Sequence, residues 1–392
     1  MSLTDVIAVV GATGTGKSAL ADALAQALGG EVVSADSMQV YRGMDIGTAK
    51  VPNAERLVPY HCIDLVEPSV AYTAALYQRA ARAAIEGIRS RGAVVVVCGG
   101  TGLYVRAALD DFVFDEGREK GYTVIPALAG MSGQPSINRN SDAQAQDDGQ
   151  IQDDAQIQDD AQIQDDGQTT TPKNHRSIRT QLTAQAFMMG AEAFYALLAE
   201  RDPASAALIH HNNTRRVVRA FELLEEGTSY AAQHAGFSEY KAYYSTRYLG
   251  IEVKSDVLYR VINKRVDGLM AAGLLDEVRA LVAAGYANAP GFSQAIGYKE
   301  LLVVLQATEA PSDEHAVLQP DEKSTDEQLA MAVERIKQAT RRYAKRQRTW
   351  FKRDTRINWI DATDLHEACL AGDLTTHAFT DELLLRARDL LE

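Results

Sequence analysis

The sequence predicts an α/β protein, a P-loop NTPase-like parallel sheet flanked by helices, with an inserted helical domain. Three observations carry this. Apolar runs at 6–10, 31–35 and 93–98 alternate with stretches of helical periodicity, the pattern of buried parallel strands joined by crossover helices. The first run feeds a glycine loop, GATGTGKS, at 11–18. Beyond residue 113 the alternation collapses, and it resumes only near 244.

Val6–Val10 is the first strand. Gly11-Ala12-Thr13-Gly14-Thr15-Gly16-Lys17-Ser18 follows, in the strand–loop–helix context a phosphate loop needs. Its glycines let backbone N–H groups turn inward, and a helix starting near Lys17 aims its positive end into them. Lys17 adds a cation, and the Ser18 hydroxyl can ligate Mg²⁺. The loop defines a polyphosphate site and leaves the chemistry open. Ala19, Leu20, Ala23, Leu24, Ala27 and Leu28 form one helical face, stopped by Gly29-Gly30. Residues 31–35 read as a strand ending at Asp36. A helix over 73–89 turns Leu76, Tyr77, Ala80, Ala84, Ile85 and Ile88 inward. The run 93–98 ends in Gly99-Gly100-Thr101.

Residues 117–173 include three six-residue repeats starting at Asp147, DDGQIQ, DDAQIQ and DDAQIQ. One Ile per six residues cannot offset the entropy of folding, so a disordered insertion is expected. Helical signals resume near Ser177. Asp202 before Pro203 and Asn213 are candidate helix caps, with Val217, Val218, Phe221 and Leu224 inward. Residues 244–253 read as a strand. Ser255 is expected to cap one helix reaching about 284, residues 307–326 to form an acidic loop, about 327–352 a long helix, and 357–360 a last strand. The expected divisions are 1–112, 113–243 and 244–392.

The 392 residues suffice for two or three domains, and 46% hydrophobic content allows a full core. A net charge of −13 argues against a nucleic-acid binder, but it is unevenly placed. Residues 141–172 hold nine Asp and no Lys or Arg, and without them the balance falls to −4. Residues 335–356 hold ten Lys or Arg against one acid, Asp354. Cys62, Cys98 and Cys369 are far apart and show no C-x-x-C spacing, so neither a disulfide framework nor a zinc site is indicated, which suits a reducing compartment. The first apolar run is too short for a signal peptide, and nothing is expected to span a membrane. A cytoplasmic monomer is expected.

A glycine loop that hydrolyses NTP is normally paired with a strand ending in an acid that helps hold the metal. Here that strand ends Gly-Gly-Thr, and the acid at the sheet edge is Asp36. Ligands bind beyond the carboxyl ends of parallel strands, so Asp36 and Thr101 are expected to face the loop. Arg265 falls on the helical face of Leu258, Ile262 and Leu269. Arginine is seldom buried without an anion, which here is either a salt-bridge partner or a phosphate. In the basic helix Ile336, Ala339, Tyr343 and Trp350 are the candidate apolar stripe. One sign of charge dominates, with aromatics interleaved, which favours a nucleic-acid backbone as partner.

Together these residues resemble the tRNA dimethylallyltransferases. Residues 35–50, ADSMQVYRGMDIGTAK, resemble that family's DS-x-x-x-Y-x-G-x-DIGTAK block, and Gly99–Tyr104 is similar to its GGTGLY loop. Asp202 to Ala220 resembles its DP-x-x-A-x-x-IH-x-N-x-x-R-x-x-RA helix pair. Asn263–Asp267, Gln294–Glu300 and Ala344–Phe351 complete the set in family order. The family's DP-x-VRARL segment has its nearest equivalent at Ser177–Leu182, displaced by the repeats.

The resemblance implies transfer of a dimethylallyl group from its diphosphate to the exocyclic N6 amine of the adenosine immediately 3′ of the anticodon, in tRNAs reading U-initial codons. It implies a diphosphate held by Gly11–Ser18, Asp36 taking the amine proton, and Lys17, Thr101 and Arg265 on the leaving group. Mg²⁺ is the expected cofactor, with Ser18 and Asp36 at its site. Asp36, Ser37, Met38, Gln39, Arg179, Arg215, Arg216, Arg219, Gln294, Gly297, Tyr298 and Lys299 are the implied tRNA contacts. The basic helix adds Lys345, Arg346 and Arg348. The helical insertion that grips the anticodon stem corresponds to 113–243. An adenylate (AMP, ADP or ATP) isopentenyltransferase and a P-loop small-molecule kinase are the alternatives, and neither requires the tRNA-facing segments.

Overall fold

All five runs expected to be strands are strands. The structure is a computed structural model that describes residues 6–111, 173–238, 240–309 and 325–391. In chain order the first elements are β1 (Val6–Gly11), α1 (Lys17–Leu28), β2 (Gly30–Ser34), β3 (Tyr60–His61), α2 (Ala74–Ser90), β4 (Val94–Gly99) and α3 (Gly102–Leu109). Then come α4 (Lys173–Met189), α5 (Ala191–Arg201), α6 (Pro203–Ala206), α7 (Thr214–Glu225) and α8 (Tyr230–Ser238). The chain continues through β5 (Thr246–Glu252), α9 (Ser255–Ala271), α10 (Leu274–Ala283), α11 (Pro290–Gln294) and α12 (Tyr298–Glu309). It closes with α13 (Thr325–Phe351), β6 (Ile357–Asp361), α14 (Thr363–Ala371) and α15 (Thr376–Leu391). The repeats lie outside the described residues.

The strands form one sheet in the order β3-β2-β4-β1-β5-β6, and every pairing is parallel. β1 lies between β4 and β5, with Val10 opposite Gly99 and Gly11 opposite Ile251. The glycine loop and Gly-Gly-Thr therefore emerge side by side at one sheet edge. The core around it draws on β1, α1, β4, β5, α9, α14 and α15, with Ile7, Leu20, Leu249, Ile262 and Leu383 fully buried. Among the described residues no single helix is long and apolar enough to cross a membrane.

Two compact units result. The described residues 6–111 and 240–391 make one, and 173–238 make the other. The chain re-enters the first unit at Tyr240, earlier than the expected boundary at 243, because residues 241–243 pair with the end of α3. The Asp111 N–H donates to Lys241 O at 2.6 Å and the Tyr243 N–H to Leu109 O at 2.8 Å. The second unit has its own core of Leu182, Phe194, Leu198, Val217, Phe221 and Tyr230. Its helices start where their caps predict: Asp202 Oδ1 accepts from Ser205 N–H at 3.0 Å and Asn213 Oδ1 from Arg216 N–H at 3.2 Å.

Two helices differ from expectation. The helix expected over 255–284 is two, α9 and α10, separated at Gly273, whose φ of 99° is left-handed. Ser255 is the first residue of α9 rather than its cap; its hydroxyl is used by Arg348 instead, whose Nη1 donates to it at 2.5 Å. β3 escaped the sequence because two residues carry no period.

Candidate active site

The loop after β1 is shaped by glycines that nothing else could replace. Gly11, Gly14 and Gly16 have φ of 151°, 85° and 92°. A Cβ at Gly11 would lie 2.8 Å from Ile251 O, and one at Gly16 would lie 2.7 Å from the Phe379 ring. Thr15 Oγ1 donates to Ala12 O at 2.9 Å and Lys17 Nζ to the same oxygen at 3.2 Å. Burial pulls the Lys17 pKa below its ordinary value, opposed by Cys98 and Asp36, while Arg265 adds to the lowering.

The ends of β2 and β4 close on each other. The Ala35 N–H donates to Cys98 O at 2.7 Å and the Thr101 N–H to Ala35 O at 3.3 Å. Gly99 permits this approach, since a Cβ there would stand 2.1 Å from Ala35 O. Thr101, buried at the start of α3, accepts from Ser37 N–H at 3.1 Å. Asp36 Oδ1 accepts from Met38 N–H at 2.9 Å, and no other hydrogen bond reaches its carboxylate among the described residues. Cys98 hydrogen-bonds the Ser18 hydroxyl, and burial pushes its thiol up to about 11.

Arg265 approaches from α9. The buried stripe runs Leu258, Ile262 and Val266, so Arg265 sits at its edge and is solvent-accessible, not on an apolar face with Leu269. Asp36 is the charge that acts on it, favouring the cation. It makes no ion pair within 4.0 Å among the described residues. Lys17, Asp36, Thr101 and Arg265 thus converge, with two cations facing one carboxylate. Such a site is short of negative charge and suited to a phosphate-class anion.

Sequence reasoning misses Gln347. It is buried on α13; its Oε1 accepts from Thr13 N–H at 2.8 Å and its Nε2 donates to Gly100 O at 2.9 Å. It therefore bridges the glycine loop and Gly-Gly-Thr. Beside it Tyr343 reaches Thr101 and Gln347, and burial together with Asp36 pushes its phenol up to about 12. Only the position of Gln347 one turn beyond Tyr343 could have signalled an inward face.

The residues tied to RNA separate into exposed and engaged ones. Lys345, Arg346, Gln294 and Lys299 are exposed. Gly297 and Tyr298 are buried, the latter completely, which corrects their reading as contacts: they support the neighbouring surface. Arg348 is half-buried against Ser255. Ser37 and Met38 are half-buried beside Asp36. The Gln39 amide is occupied internally, accepting from Ser34 Oγ at 2.8 Å and donating to Thr48 O at 3.2 Å. In the second unit Arg179 pairs with Glu222 at 3.4 Å, and Arg219 pairs with Glu222 at 3.3 Å and Glu226 at 3.2 Å. Arg215 is exposed and Arg216 half-buried on the same helix.

Ser18 and Asp36 suit a magnesium ion of the kind that takes one carboxylate and completes its shell with water and substrate phosphate. Among the described residues no group of three or more His, Cys, Asp and Glu could form an all-protein cage.

The family model described as IPP transferase matches residues 39–156 and 157–354. The chain belongs to the IPP transferase family. It is 35% identical to the tRNA dimethylallyltransferase of Bacillus velezensis over 379 residues, covering 94% of this chain and 97% of that one. It is 37% identical to the tRNA dimethylallyltransferase of Geobacillus thermodenitrificans, covering 92% and 91%. Among solved structures it resembles the full-length tRNA isopentenylpyrophosphate transferase of Bacillus halodurans, with a TM-score of 0.57, 30% identity and coverage of 99% and 97%. It also resembles a eukaryotic dimethylallyltransferase acting on tRNA, with a TM-score of 0.62, 25% identity and coverage of 93% and 75%. Membership in the IPP transferase family accounts for a glycine loop whose neighbouring strand lacks an acid.

Proposed function

We propose that this chain transfers a dimethylallyl group from dimethylallyl diphosphate to N6 of the adenosine immediately 3′ of the anticodon, in tRNAs reading codons that begin with U. The observation that carries this reading is the pair of cations, Lys17 and Arg265, facing the single carboxylate of Asp36 at the glycine loop. The names of the relatives point the same way.

The backbone of Gly11–Ser18 binds the donor diphosphate. As the allylic C–O bond breaks, negative charge grows on the leaving pyrophosphate, and Lys17, Arg265 and the Thr101 hydroxyl are placed to take it up. Thr101 Oγ1 already accepts from Ser37 N–H, so its own proton, which it gives to Ser37 Oγ across 3.4 Å, can turn to a phosphate oxygen. The adenine leaves its stack to reach the site, as unpaired loop bases do when proteins read RNA. N6 attacks the allylic carbon, and the oxygen of Asp36 not held by Met38 accepts the N6 proton. Ser18 and Asp36 would hold Mg²⁺, which when bound adds positive charge beside the diphosphate. The reaction is placed in the cytoplasm, with the chain acting as a monomer; the free thiols Cys62, Cys98 and Cys369 suit a reducing compartment.

The test sets labelled dimethylallyl diphosphate beside ATP. Transfer to tRNA with release of pyrophosphate is expected, with no tRNA-stimulated phosphate release from ATP. Transfer to AMP in preference to tRNA would make the chain an adenylate isopentenyltransferase. tRNA-stimulated ATP cleavage without prenyl transfer would return it to the kinases and NTPases.

A further inference from the structure

Glu277 lies on α10, away from both loops that meet the donor. Its carboxylate accepts three successive backbone N–H groups: Asp45 at 2.9 Å, Ile46 at 2.7 Å and Gly47 at 3.1 Å. The Tyr298 hydroxyl donates to it at 2.6 Å. Consecutive N–H groups in a turn form an anion-binding hollow. Here a carboxylate of the chain fills it, through charge-assisted bonds roughly twice as strong as neutral ones. The fit is close, since a Cβ at Gly47 would stand 2.3 Å from the Tyr298 ring.

Order passes from this carboxylate in two directions. Thr48 follows the captured turn, and its carbonyl accepts from Gln39, whose amide oxygen accepts from Ser34, two residues before Asp36. Lys50 braces the same turn through Asp45 at 2.8 Å and Asp64 at 2.5 Å. On the other side Tyr298 lies between the exposed Gln294 and Lys299. We infer that Glu277 is a positioning residue for the acceptor. It joins the segment bearing Asp36–Gln39 and the segment bearing Gln294 and Lys299 into one rigid RNA-facing surface. This rests on tRNA being the acceptor, as proposed above.

Glu277→Gln keeps the shape but turns an NH₂ toward donors. With the full chain, the KM for tRNA is expected to rise about 10- to 100-fold, the range for losing bonds to a charged group. The KM for dimethylallyl diphosphate should stay within about twofold, because the donor loops are untouched. Tyr298→Phe removes one of the four bonds and should raise the tRNA KM less. Added to Glu277→Gln it should cost nothing further, since Tyr298 acts through that carboxylate. An unchanged tRNA KM in Glu277→Gln, additive effects in the double variant, or a parallel loss of both substrates with the folded fraction would each overturn the inference. A wild-type chain that fails to prenylate tRNA at all would sink the proposed function and this inference together. An active wild type with an indifferent Glu277→Gln sinks the inference alone.

Discussion

The proposed donor loop and the proposed RNA-facing surface of the first unit are built in opposite ways. The loop is backbone. Eight consecutive residues supply it, with left-handed glycines and no room for a Cβ at Gly11 or Gly16. The proposed RNA-facing surface is side chain. Gln294, Lys299, Lys345 and Arg346 come from distant segments, and all are exposed. A backbone site tolerates few residues at each position, so it writes a motif. A charged surface tolerates many, so it writes only a composition. If the two are also separate in function, changes on one side should leave the other's substrate alone.

The largest effect is expected at Asp36, which stands between them. Asp36→Asn keeps the shape and removes the basicity. A positioned general base contributes about 10² to 10⁴ in rate, so single-turnover prenyl transfer should slow by that factor while tRNA binding, measured by filter retention, holds. Loss of dimethylallyl diphosphate binding instead would make the magnesium site the chief role of Asp36, and the base would have to be another group.

Lys17→Ala comes next. Removing one preorganised donor to a developing charge costs roughly 10² to 10³ in turnover. The donor KM should rise as well, because Lys17 meets bound donor and leaving group alike. An unaltered tRNA dissociation constant is the companion expectation. A weakened one would show that the two regions communicate through the loop.

Gln347 marks how far the sequence can be read. The strands, the glycine loop, the caps at Asp202 and Asn213, and the meeting of Asp36 with Thr101 all follow from local signals or from topology. Gln347 does not, because its partners Thr13 and Gly100 lie more than two hundred residues away and no period connects them. Glu277 is hidden for the same reason. Helical spacing puts Arg265 on a face with Leu269, but the stripe turns to Val266 and α9 ends at Ala271. Tyr298 shows the complementary failure: a motif reports that a residue matters and cannot say whether it touches RNA or holds up what does. Gln347→Ala leaves the half-buried Thr13 N–H without its acceptor, a loss equivalent to at most roughly 5- to 150-fold in an equilibrium, and turnover should fall about tenfold. A Cβ at Gly100 would stand 2.2 Å from Gln347 Nε2. Gly100→Ala should therefore be damaging in the wild type and much less so once Gln347 is Ala, when Gly11 O at 3.3 Å is the tight neighbour that remains. Additive losses would mean that Gly100 is constrained by something other than Gln347.

The smallest effect, and the one that tests the RNA surface most directly, is a slope. Lys345 and Arg346 are exposed on α13, the helix whose buried side carries Gln347. If they meet phosphate, replacing both with Ala should flatten the plot of log affinity for tRNA against log salt by about 0.7 to 0.9 for each phosphate no longer neutralised. The KM for dimethylallyl diphosphate should not move. Arg348 is the internal control, because its guanidinium is held on Ser255 at 2.5 Å. Arg348→Ala should change the slope less than either exposed neighbour and lower the melting temperature more. A salt slope unchanged by the double replacement would make the basic face of α13 a solvated surface, and the tRNA would have to be held by Gln294, Lys299 and the second unit's Arg215 and Arg216.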